Sequence, residues 1–230
     1  MRKRLNMLGT KKLSTARLAL FMAVLTAVSK ALGFVREMVL ANYYGAGMVT
    51  DAYVMAQSIP TSLLGALISA VATSYMPAFS RIAELEGDEK AYRFTSKLIN
   101  LQFSIIAIVV AVGCVLARPL VRIFAPGFSA ETAELTAFYL RFAFFVLFFT
   151  VLTYVFGALL NYKGIFLPQI LYGIADNLVL IAVVMISAKT DRRLLIAAPL
   201  AGAAIMGIPH FLKAKRKAIP TAPIFRSTRA

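Results

Sequence analysis

RLALFMAVLTAVSKALGFVREMVL, residues 17–40, is the stretch that decides the fold. It is longer than the roughly 20 helical residues needed to cross about 30 Å of hydrocarbon. Lipid offers no partners to open sheet edges, so an apolar run of this length is expected to be a helix. Its basic leader, apolar centre and small residues Ala27 and Ser29 imitate a secretory signal peptide. The apolar run nevertheless continues past Lys30 through Gly33–Leu40, so an uncleaved first membrane helix is expected.

Working outward, five more apolar stretches are long enough to span. They cover about 52–79, 98–117, 135–160, 166–188 and 194–212. None alternates apolar and polar residues as a lone strand would. The fold class expected is all-α, a polytopic membrane bundle of about six transmembrane helices. Composition agrees: 60% of the 230 residues are hydrophobic and the mean hydropathy is +0.78. A soluble domain is usually about 45–50% apolar. With no Trp, an interfacial aromatic belt must come from Tyr and Phe. The single cysteine, Cys114, excludes an internal disulfide and reads as a small apolar residue within its span.

The net charge of +15 does not point to nucleic acid, because the basic residues sit in short segments between apolar blocks. Six lie in residues 1–17, four in 81–97, one in 161–165 and six from 213 onward; the alternate connections hold none, two and three. The positive-inside bias therefore places both termini in the cytoplasm of the inner membrane, with 189–193 opposing it. The organisation expected is a basic N-terminus (1–16), a six-helix lobe (17–212) and a basic, disordered tail (213–230). Gly45-Ala46-Gly47 should end the first helix, and Thr50 and Asp51 can cap the second. Pro60 and Pro77 should kink that helix. The acidic cluster Glu84, Glu86, Asp88 and Glu89 reads as a solvated loop.

Charges inside spans cost a few kcal/mol each on insertion scales, so each needs a reason. Ser29, Gly33 and Arg36 share one helical face, and Lys30 and Glu37 a neighbouring one. This polar stripe could wall a water-filled cavity that receives an anionic head group, for which a guanidinium fork is well matched. It could equally snorkel or pair internally. Asp51 could cap the second helix or meet a cavity cation. Asp176 lies deep in the fifth span, with Arg141 as a possible partner. His210, near the inner end of the sixth span, reads as interfacial. No nucleophile–base grouping, phosphate loop or metal-ligand spacing occurs, so neither enzymatic chemistry, a cofactor nor a metal is expected.

Ser29-Lys-Ala-Leu-Gly-Phe-Val-Arg-Glu37, Tyr44-Gly-Ala-Gly-Met-Val-Thr-Asp-Ala-Tyr53 and Ile59-Pro60 together resemble the signature of the MviN/MurJ family of lipid II flippases. Phe124-Ala-Pro-Gly-Phe128, Gly157-Ala-Leu-Leu-Asn161 and Phe166-Leu-Pro168 extend the resemblance over about 14–212. It implies translocation of a lipid-linked peptidoglycan precursor, lipid II, across the cytoplasmic membrane for cell-wall synthesis. It also implies substrate contacts for Arg36 and Asp51, with Lys30, Glu37 and Ser29 beside them. Lys30 stands where the family commonly has arginine, and the arginine pair that often follows the Pro60 position is absent. Full-length members have about fourteen helices in two lobes with the cavity between them, and this chain resembles the first lobe. A non-transporting half-lobe or interaction subunit, needing a second lobe or another copy, is therefore a second expectation. An exporter of polysaccharides or drugs in the same superfamily is a third.

Overall fold

The computed structural model describes residues 2–216; the side chains of residues 2–16, 66–69, 71, 72 and 213–216 lie outside that description. Among the described residues the elements are all helical: α1 (Arg2–Tyr44), α2 (Met48–Glu86), α3 (Asp88–Val115), α4 (Ala117–Phe124), α5 (Ala130–Tyr162), α6 (Leu167–Lys189), a short 3-10 helix (Arg192–Ile196) and α7 (Ala197–Arg216). Five stretches are long and apolar enough to cross a membrane: Arg17–Tyr44 in α1, α3, α5, α6 and Arg192–Leu212. The sixth long helix, α2, has 39 residues and no charged side chain between Asp51 and Arg81. The six-span expectation therefore holds. Of the expected tail, residues 217–230 fall outside the described residues, and α7 continues to Arg216.

Glycines make the tight turns. Gly45, Gly87 and Gly164 take φ of 62°, 88° and 72°, a region L side chains avoid. The expected capping by Thr50 and Asp51 does not occur. Gly47 occupies the N-cap without a side-chain bond, Thr50 Oγ1 donates back to the Gly45 carbonyl (2.7 Å), and Asp51 is already in the first turn. There its charge still faces the favourable helix end. α2 continues through both Pro60 and Pro77. The acidic cluster is not a loop: it forms the abutting ends of α2 and α3 around Gly87, where Lys90 pairs with Glu86 and Arg93 with Glu89.

α5 is the central helix and packs against α2, α3 and α7; α6 lies between α7 and α1. Close approach is built in by small residues. Gly207 of α7 lies so near α5 that an added Cβ would stand 2.8 Å from the Phe149 carbonyl oxygen. Phe79 is fully buried and touches the rings of Tyr75, Tyr92 and Tyr162, tying α2, α3 and α5 together at one end of the bundle. At the opposite end, Arg118 pairs with Glu134 and Arg192 with Glu131.

Two further expectations are corrected here. His210 is fully buried rather than interfacial: its Nδ1 donates to the Met206 carbonyl and its ring meets Tyr172 edge-on, in space left by Gly157. Asp176 shares a cavity with Arg36 of α1, and Arg141 is not among the residues that line it.

Candidate functional site: a charged cavity at membrane depth

The site grows from the crossing of α1 and α6. Ser29 and Gly33 on α1 meet Gly173 and Asn177 on α6; a Cβ on Gly173 would stand 3.3 Å from Ser29 Oγ, and one on Gly33 would stand 3.6 Å from Asn177 Oδ1. Small residues let the two backbones approach closely, the usual device where lipid provides no hydrophobic drive. Asn177 fills the crossing. Its Nδ2 donates to the Ser29 carbonyl (3.1 Å) and to the Gly173 carbonyl (2.9 Å). Two carbonyls can only accept, so this fixes the amide orientation and leaves Oδ1 turned toward Arg36.

Arg36 therefore has a defined setting. Its Nη1 donates to Asn177 Oδ1 at 3.5 Å, and its Nε donates to Glu37 Oε1 at 3.1 Å. The adjacent residue on α6, Asp176, turns toward α7 and packs against Gly202, where even a methyl group would collide with its carboxylate. Arg36 is the cation facing that carboxylate. About a third of the Arg36 side chain stays exposed.

That exposure opens into a cavity of about 560 Å³. α1 contributes Arg36 and Glu37, α2 Tyr53 and Gln57, and α6 Asp176, with apolar residues of α5 and α7 behind. It exists because α1 and α2, although consecutive, barely touch, while each is held firmly by another helix. Pockets of this size, apolar with a few converging polar groups, are typical ligand sites. The electrostatics differ from a simple cationic wall: one guanidinium stands with two carboxylates, so carboxylates outnumber cations among the lining side chains.

The five sequence-derived site residues separate accordingly. Arg36 and Glu37 line the cavity. Ser29 holds the helix crossing through its backbone carbonyl. Lys30 is exposed, six residues or about 9 Å along α1 from Arg36. Asp51 is exposed in the first turn of α2, and neither it nor Lys30 belongs to the cavity lining. Sequence reasoning missed the roles of Asn177, Tyr53 and Gln57. The Gly173–Asn177 spacing of four in an otherwise apolar span was the available signal. Among the described residues no group of His, Cys, Asp and Glu could hold a metal ion.

A multi-pass helical bundle with a charged cavity opened between its first two spans defines a polytopic membrane lobe. Comparison with known proteins narrows the class. The family model described as "Lipid II flippase MurJ" matches residues 40–228, and the chain belongs to that family. A relative from Buchnera aphidicola subsp. Baizongia pistaciae, named as a probable lipid II flippase MurJ, is 31% identical over 144 residues, which is 61% of this chain and 28% of that protein. One from Rhizobium meliloti with the same name is 27% identical over 112 residues, covering 47% and 21%. A solved structure titled "Lipid II flippase MurJ, inward closed conformation" superposes with a TM-score of 0.71 at 26% identity, covering 83% of this chain and 41% of that one. The chain thus spans under a third of the length of these relatives and about two fifths of the solved structure.

Proposed function

We propose that this chain provides the head-group-binding lobe of a lipid II flippase in the cytoplasmic membrane, with both termini cytoplasmic, and that it moves its substrate without converting it. The observation that carries this reading is Arg36: a guanidinium within a membrane-spanning helix, opening into a cavity, held by Asn177 and paired with Glu37. The Arg36 side chain is about a third exposed and lines the cavity, so a ligand there can reach it. A pyrophosphate entering the cavity would displace Glu37 and take the bidentate geometry that suits guanidinium. Glu37 thereby acts as a placeholder anion. Lys30 adds positive charge further along α1, and Asp51 negative charge in the first turn of α2.

Complementation in cells depleted of their own flippase tests the reading. Restored growth by the wild-type chain, lost in Arg36→Ala and partly kept in Arg36→Lys, is the expected outcome. A well-expressed chain that never restores growth would remove autonomous transport.

A second reading is favoured by a specific observation: the cavity is open on one side, because α1 and α2 diverge. A second lobe, or a second copy of this chain, would close it. Native mass measurement in detergent distinguishes these states, and a strict monomer that still binds substrate would count against a required partner copy.

A further inference from the structure

Two smaller cavities adjoin the charged one. The first, about 290 Å³, shares Gln57, Thr61 and Val146 with it. The second, about 430 Å³, shares Thr150 and Tyr154 with the first, and Ala203 and Met206 with the charged cavity. Together they make one continuous groove along α5, running inward from the Arg36 cluster to Asn161. Thr150 to Asn161 alone covers eleven residues, about 16 Å of helix.

Its chemistry changes along its length. All charges among its lining residues, those of Arg36, Glu37 and Asp176, sit at one end. The remainder carries no charge: apolar residues such as Leu147, Ala158 and Met206 supply most of its surface, and Thr150, Thr153, Tyr154, Asn161 and Gln169 supply its hydrogen-bonding groups. Lys163, just after α5, is turned away over the Tyr92 ring at 5.6 Å. The lining of the inner groove thus offers an anion no charge partner. An alkyl chain would strip water from Asn161 and Gln169 without replacing it, which costs free energy.

Thr150 and Thr153 donate their hydroxyl protons to the carbonyls of Val146 and Phe149, which leaves their oxygens as acceptors. Asn161 and Gln169 bond each other at 3.2 Å, and each amide keeps further donor or acceptor capacity. Tyr154 is half exposed and presents a ring face with a polar tip. Paired acceptors and donors beside an aromatic face suit an uncharged polyhydroxylated ring: hydroxyls meet amides and threonines, and the C–H face of the sugar meets tyrosine.

We infer that the α5 groove, lined by Thr150, Thr153, Tyr154, Asn161 and Gln169, is a carbohydrate subsite that holds the sugar portion of the head group inward of Arg36. The inference rests on the head-group reading above, and it adds an orientation: phosphate at the charged end, sugar toward the inner end.

Cysteine protection tests it on the whole chain, with Cys114 replaced by Ser. Thr153→Cys reports the groove and Ser58→Cys the charged cavity, each labelled with a small maleimide. A soluble N-acetylhexosamine disaccharide at about twice its Kd should slow labelling at Thr153→Cys about threefold, the factor 1 + [L]/Kd, while inorganic pyrophosphate leaves that site unchanged. Pyrophosphate should instead slow Ser58→Cys. No disaccharide protection at Thr153→Cys up to solubility, or equal protection there by pyrophosphate, overturns the carbohydrate subsite. Tyr154→Leu controls for structure: it should abolish sugar protection at Thr153→Cys while pyrophosphate protection at Ser58→Cys persists. Sugar protection that survives Tyr154→Leu also overturns the subsite as drawn. Sugar protection at Thr153→Cys without pyrophosphate protection at Ser58→Cys supports the groove and counts against the head-group reading alone.

Discussion

At the residue scale, Asn177 and Arg36 act as one unit. The amide commits its donors to a carbonyl on each helix and its acceptor to the guanidinium. Asn177→Asp keeps the acceptor but loses both donor bonds, and Asn177→Leu loses all three. Polar contacts between membrane helices average roughly 0.6 kcal/mol each, so Asn177→Leu should lower stability by about 1–2 kcal/mol, read from thermal unfolding in detergent. The two variants should differ in a second way. Phenylglyoxal labelling of Arg36, followed by mass spectrometry, should be faster in Asn177→Leu than in Asn177→Asp, where a carboxylate still holds the fork. Equal labelling in wild type and both variants would show that Asn177 does not set the guanidinium. For Arg36 itself, losing a charge-assisted pair with phosphate costs about 2–3 kcal/mol, so Arg36→Ala should weaken pyrophosphate-lipid binding about 30- to 150-fold in a direct titration.

At the element scale, the α1–α6 and α5–α7 seams are set by glycines that let the helices approach closely. Gly207 brings α7 onto the backbone of α5 at Phe149, which cannot rotate away as a side chain could. Gly207→Ala should therefore cost about 1–3 kcal/mol, the usual range for overpacking, measured as a lowered unfolding temperature. Gly202 behaves differently, because the group it would strike is the Asp176 carboxylate. Gly202→Ala should push that carboxylate toward the cavity and Arg36. The measurable result is weaker pyrophosphate protection at Ser58→Cys with little change in unfolding temperature. On the α2–α3 seam, Tyr75 and Thr95 share a buried hydrogen bond of 2.8 Å. Tyr75→Phe keeps the ring contacts with Phe79 and Phe94 and should cost only about 0.6 kcal/mol.

At the scale of the whole molecule, the two ends of the bundle differ in character. One end has the Gly87 and Gly164 turns with Arg81, Lys90, Arg93, Lys97 and Lys163; the other has α4, the 3-10 helix and ion pairs that tie Arg118 and Arg192 to Glu134 and Glu131. Those two arginines are paired with acidic partners on the end that the positive-inside bias would place outside. Lys163→Cys in a Cys114→Ser background should react with a membrane-impermeant maleimide only after the cells are opened, and Arg122→Cys before. The reverse pattern would invert the proposed orientation.

The fate of each reading follows from the range of the interaction behind it. The α1 stripe of Ser29, Gly33 and Arg36 was legible because helical spacing alone puts those residues on one face. The six spans were legible because bilayer thickness and backbone hydrogen bonding act on any apolar run of that length. The Gly45 turn followed from local sterics. Which faces meet is a non-local matter. Asp176 could not be matched to Arg36 rather than Arg141, nor His210 placed inside rather than at an interface, because those outcomes depend on how helices far apart in sequence rotate against each other. The capping role offered to Asp51 failed for a local reason: Gly47 already ends the loop between α1 and α2. By itself, then, the sequence determined that residues 17–40 form a membrane helix with a polar stripe. Only the tertiary structure decided that Arg36 and Glu37 line a cavity while Lys30 does not, because α1 is clamped to α6 and leaves a gap beside α2.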